Sequence, residues 1–446
     1  MHRYRLAHEF ALALLAGPWE RQALIDRTEA AFGGRQAWMK NAVQRVLDDM
    51  GVFQTPELRR LERFLQQDDG FQLARIKHRL KIVHRFLTPT PMNPKPGAPS
   101  TWRPPPLVTE GDICNWLGIS HEHLTWLADV HGRERTRAVG PLRQYIYKWV
   151  PKRSGGWRLI EIPKSKLKEI QRRILAELLD KVPVHPSAHG FVKNGSIKKF
   201  VSPHTNQWIA IRMDLKDFFM SVQASRVHAL FRTVGYSESV ARILTGFCTN
   251  SVPSEAMRLP STTARLPATR EALLRTPHLP QGAPTSPALA NLCAYRFDSR
   301  VTALVKKMGW TYTRYADDLL LSGPRASSKF LKQIQIWVGA IALEENFDVN
   351  MRKTRIMTHG HRQHAGGLVF NEIPNIPREN YDSLKAILYN CVKHGPAMQN
   401  REQRADFKAH LQGQISQVVH IHPPRGKRLR TLFDRIEWDA PAASAQ

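Results

Sequence analysis

Over residues 1–87 apolar positions recur at three-to-four spacing among many charges, as in Val43, Val46, Leu47 and Met50, then Leu58, Leu61, Phe64 and Leu65. That period predicts amphipathic helices, with breaks at Gly33-Gly34 and Gly51. A small helical bundle explains the pattern, and a helix-turn-helix reader of nucleic acid would need the same one. The run from Thr88-Pro89-Thr90-Pro91 to Pro104-Pro105-Pro106 is different in kind. Proline at that density excludes a helix or central strand and predicts a semi-rigid linker over 88–107.

Beyond the linker the pattern is mixed, so the chain reads as α+β. Tyr145 to Val150 and Trp157 to Ile162 are strand-like, rich in aromatic and β-branched residues, and Arg153-Ser154-Gly155-Gly156 turns between them. Lys166 to Leu179 has helical spacing with Lys168, Arg172 and Arg173 on a basic face. In the run 209–214, Ile209, Ile211 and Met213 alternate with Ala210, Arg212 and Asp214. Period two puts Asp214 on the face opposite the three apolar side chains, toward a cleft. Lys216-Asp217-Phe218-Phe219 reads as the start of a helix. Thr311 to Tyr315 and Leu319 to Ser322 flank a turn that holds Asp317 and Asp318, and helices follow Arg378.

Asp214 alone would pass for a helix N-cap, and Asp317-Asp318 alone for an exposed turn. Together they place three carboxylates at the end of one small sheet. Adjacent carboxylates repel and need a cation or solvent; apolar strands on both sides make a metal the better explanation. Nucleotidyl transfer uses two divalent ions roughly 3.5–4 Å apart, which only clustered hard oxygen ligands can hold. Between the acids lies Leu279-Pro280-Gln281-Gly282-Ala283-Pro284-Thr285-Ser286-Pro287, where Gly282 lets the backbone approach a flat ligand.

Charge supports this chemistry. The chain has 446 residues, room for about three domains, and 66 Lys+Arg against 38 Asp+Glu give a formal charge of +28. Such a field attracts polyanions and predicts salt-dependent nucleic-acid binding. Cys114, Cys248, Cys293 and Cys391 form no CxxC pair, which argues against a zinc cluster or disulfide framework and predicts a cytoplasmic protein. No apolar run approaches the ~20 residues of a membrane span, so no membrane partner is expected. His8 and Glu9 interrupt the apolar stretch after Met1, which favours a buried helix over a signal peptide. His359, His361 and His364 have no nearby Cys or acid to complete a metal site, and the end 440–446 reads as frayed.

Asp214-Leu215-Lys216-Asp217-Phe218-Phe219, Pro280-Gln281-Gly282-Ala283-Pro284-Thr285-Ser286-Pro287 and Tyr315-Ala316-Asp317-Asp318, in that order, resemble the palm motifs of reverse transcriptases, and more closely of bacterial retron reverse transcriptases. The resemblance runs from about residue 108 to 438 and takes in Pro151 to Ile160, Ala188-His189-Gly190-Phe191 and Asn350 to Thr354. The helical extension is similar to that of the myxobacterial-type members. The resemblance implies a right-hand polymerase: fingers over 108–204, palm over 205–376 and a helical thumb over 377–446. It implies two Mg²⁺ ions on Asp214, Asp317 and Asp318, with the Leu215 carbonyl as a further ligand. Lys152 and Arg158 would hold the incoming triphosphate, where a forked guanidinium suits phosphate oxygens. Gln281 and Gly282 would line the nucleotide pocket, Phe219 would exclude a 2′-hydroxyl, and Lys353 would protonate the leaving pyrophosphate.

Two motifs depart from the family. Its Asn-Ala-x-x-His becomes Phe200-Val201-Ser202-Pro203-His204, keeping only the histidine, and its Val-Thr-Gly is matched by Ala365-Gly366-Gly367. Both elements are associated with partner-RNA recognition, and His204 is expected to contact RNA. So are Arg425, Lys427, Arg428 and Arg430, with Lys393, Arg401, Arg404 and Lys408 on neighbouring helices of the thumb. The expected activity is RNA-directed DNA synthesis on a structured non-coding RNA. Deoxynucleoside triphosphates are the substrates, branched RNA-linked DNA the product and an accessory effector in antiphage defence the partner. Alternatives are another bacterial reverse transcriptase class, or a non-catalytic RNA-binding scaffold of the same fold.

Overall fold

The computed structural model describes residues 2–17, 19–51, 56, 58–86, 105–129, 132–134, 140, 142–152, 155–260 and 266–438. Most of the expected linker, the turn residues Arg153 and Ser154, and the C-terminal end at 440–446 lie outside them. The chain forms two compact units, Met1–Pro183 with Val222–Ser286, and Val184–Ser221 with Pro287–Gln446.

The first unit begins with helices His2–Leu15, Arg21–Phe32, Ala37–Met50, Leu58–Gln67 and Asp69–Lys77. Their three-to-four spacing buries one stripe of each into a shared core that includes Leu6, Phe10, Leu24, Val43, Leu61 and Phe71. Phe10 meets the rings of Phe32 and Phe71 at 5.3 and 5.1 Å. The first helix therefore sits in a bundle core, as its interrupted apolar stretch predicts. Asp68 caps the fifth helix through the Phe71 amide at 2.7 Å and accepts both Arg45 Nε and Nη2, at 2.7 and 2.8 Å. A cap of this kind contributes about 1 kcal/mol. Further on, β1 (Tyr145–Pro151) and β2 (Trp157–Pro163) form an antiparallel hairpin. Its alternation buries Leu159, Glu161 and Pro163 while leaving Arg158 outside.

The second unit is built on a four-stranded antiparallel sheet of β3 (Ile209–Asp214), β4 (Thr311–Tyr315), β5 (Asp318–Gly323) and β6 (Arg355–Thr358). The spatial order is β4-β5-β3-β6. Helix Tyr295–Lys306 packs on β4, its Phe297 edge-on to Tyr312. Phe200, Ala210, Leu320, Met357 and Phe370 belong to one core cluster. Helices Arg378–His394, Phe407–Ile421 and Pro423–Phe433 enclose a separate core of Leu388, Ile415, Leu429 and Phe433 among others. Gly426 lets the last two close up, since a Cβ there would stand 2.5 Å from the Val419 Cα. Among the described residues no helix is long and apolar enough to cross a membrane.

One expectation is overturned here. His204 does not present itself to RNA: it is fully buried, its Nδ1 lying 2.6 Å from Ser322 Oγ and its Nε2 2.8 Å from Thr313 Oγ1. Burial pushes its pKa down to about 3, so it is a neutral strut between β4 and β5. The two atypical motifs have the same structural character. Phe200, Val201 and Ala365 are buried in one cluster, and a Cβ on Gly366 would meet Ile197 Cγ2 at 2.8 Å. Apolar side chains here fill the core beside the four-stranded sheet.

Candidate active site

β3 and β5 run antiparallel in a register that sets Asp214 directly across from Asp318. β4 and β5 are joined by Ala316 and Asp317 alone, with Tyr315 paired to Asp318. The adjacent acids thus separate, Asp317 in the turn and Asp318 as the first residue of a strand. Ala316 takes φ 57, a left-handed conformation that costs a non-glycine residue roughly 1–2 kcal/mol. Leu215 donates its amide to the Asp317 carbonyl at 2.9 Å, which ties the end of β3 to the turn.

The three carboxylates are unequal. Burial pushes the Asp317 carboxyl above the usual carboxylate range, and the charges of Asp318 and Asp214 push the same way against Lys353. Asp214 is paired with Lys353, whose Nζ lies 3.0 and 3.1 Å from its two oxygens. Asp318 accepts Arg212 Nε at 3.0 Å and Nη2 at 2.9 Å. Arg212 precedes Asp214 by two residues on β3 and therefore shares its face; that period was the signal by which the sequence could have given it a role. Among the described residues no group of three His, Cys, Asp or Glu stands as a ready-made metal cage. The donor set nevertheless suits a hard divalent cation, being three carboxylates on one sheet end.

Phe219 lies in the short helix Phe218–Ser221 beyond Asp214, half-buried, its ring 6.0 Å from Phe191. The turn that carries the acids is braced from inside the same unit. Arg314, buried completely, forms a bidentate pair with Asp298 at 2.8 and 2.7 Å. Gly190 approaches so closely that a Cβ would lie 2.6 Å from the Ala316 nitrogen. His189 donates its amide to the Arg314 carbonyl at 2.8 Å. The Ala188-His189-Gly190-Phe191 motif thus packs its backbone under the acidic hairpin, a role its sequence gave no sign of.

In the other unit, Gln281 and Gly282 are anchored to β2. The Glu161 amide donates to the Gln281 carbonyl at 2.9 Å, and Gly282 takes φ 139 where a Cβ would meet the Glu161 carbonyl at 2.7 Å. Beneath lies a second buried pair, His278 Nε2 to Glu161 Oε1 at 3.1 Å, with Asn250 Nδ2 donating to Oε2 at 2.7 Å. Burial opposes charge on His278, but Glu161 and the Thr276 carbonyl outweigh it and raise its pKa. The sequence signal was an acid at an inward position of β2. Arg158 is exposed on β2, and Lys152 begins the turn after β1, its amide donating to the Gly156 carbonyl. Of the expected RNA contacts, Lys427 and Arg428 are exposed on helix Pro423–Phe433. Arg425 is spent on the Tyr381 ring and Asn375, and Arg430 lies over Phe433. His359 stacks parallel to Trp208 at 6.2 Å.

The family described as reverse transcriptase (RNA-dependent DNA polymerase) matches residues 150–393. The chain is 37% identical over 327 residues to the retron Mx65 reverse transcriptase of Myxococcus xanthus, covering 72% of this chain and 70% of that one. It is 33% identical to the retron Mx162 enzyme of the same organism, over 74% of this chain and 67% of that one. The retron Ec86 reverse transcriptase of Escherichia coli is 29% identical over 63% of this chain and 77% of its own. The fold and the match define a reverse transcriptase. More particularly, the chain belongs to the retron reverse transcriptases of the myxobacterial type, RNA-directed DNA polymerases with a helical region ahead of the polymerase.

Proposed function

We propose that the chain copies part of a dedicated structured non-coding RNA into single-stranded DNA that remains branched from that RNA through a 2′–5′ link. The biological setting we assign is antiphage defence with an accessory effector protein. The domain plan we adopt is an extension over 1–87, a linker over 88–107, fingers over 108–204, palm over 205–376 and thumb over 377–446. The observation that best supports the chemistry is the register that opposes Asp214 to Asp318 with Asp317 in the intervening turn.

Asp214, Asp317 and Asp318, with the Leu215 carbonyl, would hold two Mg²⁺ ions. When bound, such ions activate the attacking hydroxyl and offset charge on the triphosphate. The chain's own side chains do the rest. Arg158 and Lys152 bind the triphosphate oxygens, Arg158 through its fork. Gln281 and Gly282 contact the nucleotide. The Phe219 ring closes the space a 2′-hydroxyl would need, so deoxynucleotides are selected by exclusion. Lys353 leaves Asp214 and gives a proton to the oxygen that bridged the α and β phosphorus atoms as its bond to the α phosphorus breaks and pyrophosphate departs. Exposed Lys427 and Arg428 hold the RNA backbone by charge.

The test has two arms. Protein purified from its own host is analysed for bound nucleic acid with DNase, RNase and debranching treatment, and Asp318→Asn is assayed for DNA synthesis. A short DNA joined to RNA by a 2′–5′ link, lost in Asp318→Asn, is the expected result. RNA without attached DNA would refute the branched product, and undiminished synthesis by Asp318→Asn would refute the metal-site assignment.

A further inference from the structure

Behind the acidic turn, and touching none of the reacting groups, lies a closed polar network in the palm interior. Arg314 is the residue before Tyr315-Ala316-Asp317-Asp318, and it is fully buried together with Asp298 and Asn291. Its guanidinium donates four hydrogen bonds to three residues. Nε and Nη2 grip the two Asp298 oxygens at 2.8 and 2.7 Å. Nη1 donates to Asn291 Oδ1 at 2.8 Å and to the Ala316 carbonyl at 3.0 Å. Asn291 in turn donates Nδ2 to the Gly190 carbonyl at 2.8 Å, and Tyr312 donates its hydroxyl to Asp298 Oδ1 at 2.8 Å. The Arg314 Cζ lies over the Phe218 ring, 5.6 Å from its centroid.

A buried ion pair is poor evidence for stability, because desolvation opposes the Coulomb gain. This one is arranged for something else. Among the side chains of this network, Arg314 is the one that donates to the backbone of the turn, at the residue with φ 57. Its charge is secure: burial would lower its pKa, yet the Asp298 charge and hydrogen bonds hold it above the ordinary value. The same side chain connects three segments, the acidic turn, the Gly190 loop through Asn291, and the Phe218 helix that follows Asp214. A small change in its seat would therefore move Asp317 and Asp318 relative to Asp214.

We propose that Arg314, seated on Asp298 and Asn291, is a positioning residue that fixes the Ala316–Asp317–Asp318 turn and so sets the spacing of the acids for divalent metal binding. The inference rests on the assignment of those acids as the metal site. Arg314→Lys keeps the buried charge but loses the planar fork, so it cannot hold Asp298, Asn291 and the Ala316 carbonyl at once. Tyr312→Phe is the matched control, since it removes a bond of the same network that does not touch the turn.

The experiment measures primer extension against deoxynucleotide and Mg²⁺ concentration, Mn²⁺ binding by paramagnetic resonance, and the melting temperature, for both variants and Asp318→Asn. Arg314→Lys is expected to lower kcat about 10- to 100-fold, the cost of misplacing reacting groups by about an ångström, at an unchanged nucleotide KM. Its Mn²⁺ affinity is expected to fall several-fold, while Tyr312→Phe keeps wild-type values of all three. If Arg314→Lys does not fold, Asn291→Ala, which spares the ion pair, is expected to shift kcat and Mn²⁺ affinity in the same direction, about threefold. A folded Arg314→Lys or Asn291→Ala with wild-type kcat and Mn²⁺ affinity overturns the inference. So does a Tyr312→Phe that loses as much as Arg314→Lys. An active Asp318→Asn overturns instead the metal-site assignment beneath it.

Discussion

Replacing His278 by leucine removes one half of a charge pair that has no access to water. Glu161 and His278 are 1% and 0% exposed, and after the substitution Glu161 keeps only the Asn250 amide at 2.7 Å and the Gln281 backbone amide at 3.4 Å. Breaking a buried pair from one side costs about 3–5 kcal/mol, which for a unit of this size lowers the melting temperature by roughly 6–20 °C. Glu161→Gln behaves differently. Thr276 offers His278 Nδ1 a carbonyl at 2.7 Å, which can only accept, so Nδ1 carries a proton in either charge state. Neutral His278 can then accept at Nε2 from the glutamine amide while the glutamine oxygen still accepts from Asn250, so only the long Gln281 amide contact at 3.4 Å is given up, at a much smaller cost. The pH dependence separates the two chemistries. His278 has a raised folded pKa, so its contribution is complete below the unfolded value of about 6.5 and disappears as pH rises through the folded one. Wild-type melting temperature should fall over that alkaline-going window, and the fall should be absent in Glu161→Gln. Scanning calorimetry from pH 5 to pH 9 reads both effects. A His278→Leu protein that melts within about 2 °C of wild type, or a wild-type profile matched by Glu161→Gln, would show that no buried charge pair anchors the Gln281 loop.

Two other outcomes follow from residues at the sites. Phe219→Ala should admit ribonucleotides, with sugar discrimination falling by roughly 10- to 200-fold, the range a steric pocket commands; unchanged incorporation ratios would remove Phe219 from that role. The pair Lys427→Ala and Arg428→Ala should weaken RNA binding and reduce the slope of log affinity against log salt by about two, close to one per lost phosphate contact. An unaltered slope would show both cations facing solvent only.

The strands of the catalytic sheet were legible because period-two alternation and β-branched flanks mark them in any context, and the opposed acids follow from strand ends. The supporting groups were harder to read. Arg314 and Asp298 look like ordinary surface charges in the sequence, and only the crossing of helix Tyr295–Lys306 over β4 makes them a buried pair. His204 misled for the complementary reason. A histidine beside a recognised motif reads as a ligand for RNA, whereas two hydroxyls from β4 and β5 claim both of its ring nitrogens. The basic helix Pro423–Phe433 was half legible: Lys427 and Arg428 project, but Arg425 is occupied by an aromatic ring that its sequence neighbours do not reveal.

Lys353 on Asp214 and Arg212 on Asp318 give the acidic cluster internal counterions. Three carboxylates on one sheet end would otherwise strain the palm by mutual repulsion until something positive arrived from outside. With two of them already balanced by the protein's own cations, the sheet can fold and persist before any divalent ion is bound. On the proposed assignment, stripping the metal with a chelator is expected to stop DNA synthesis and to leave the melting temperature unchanged.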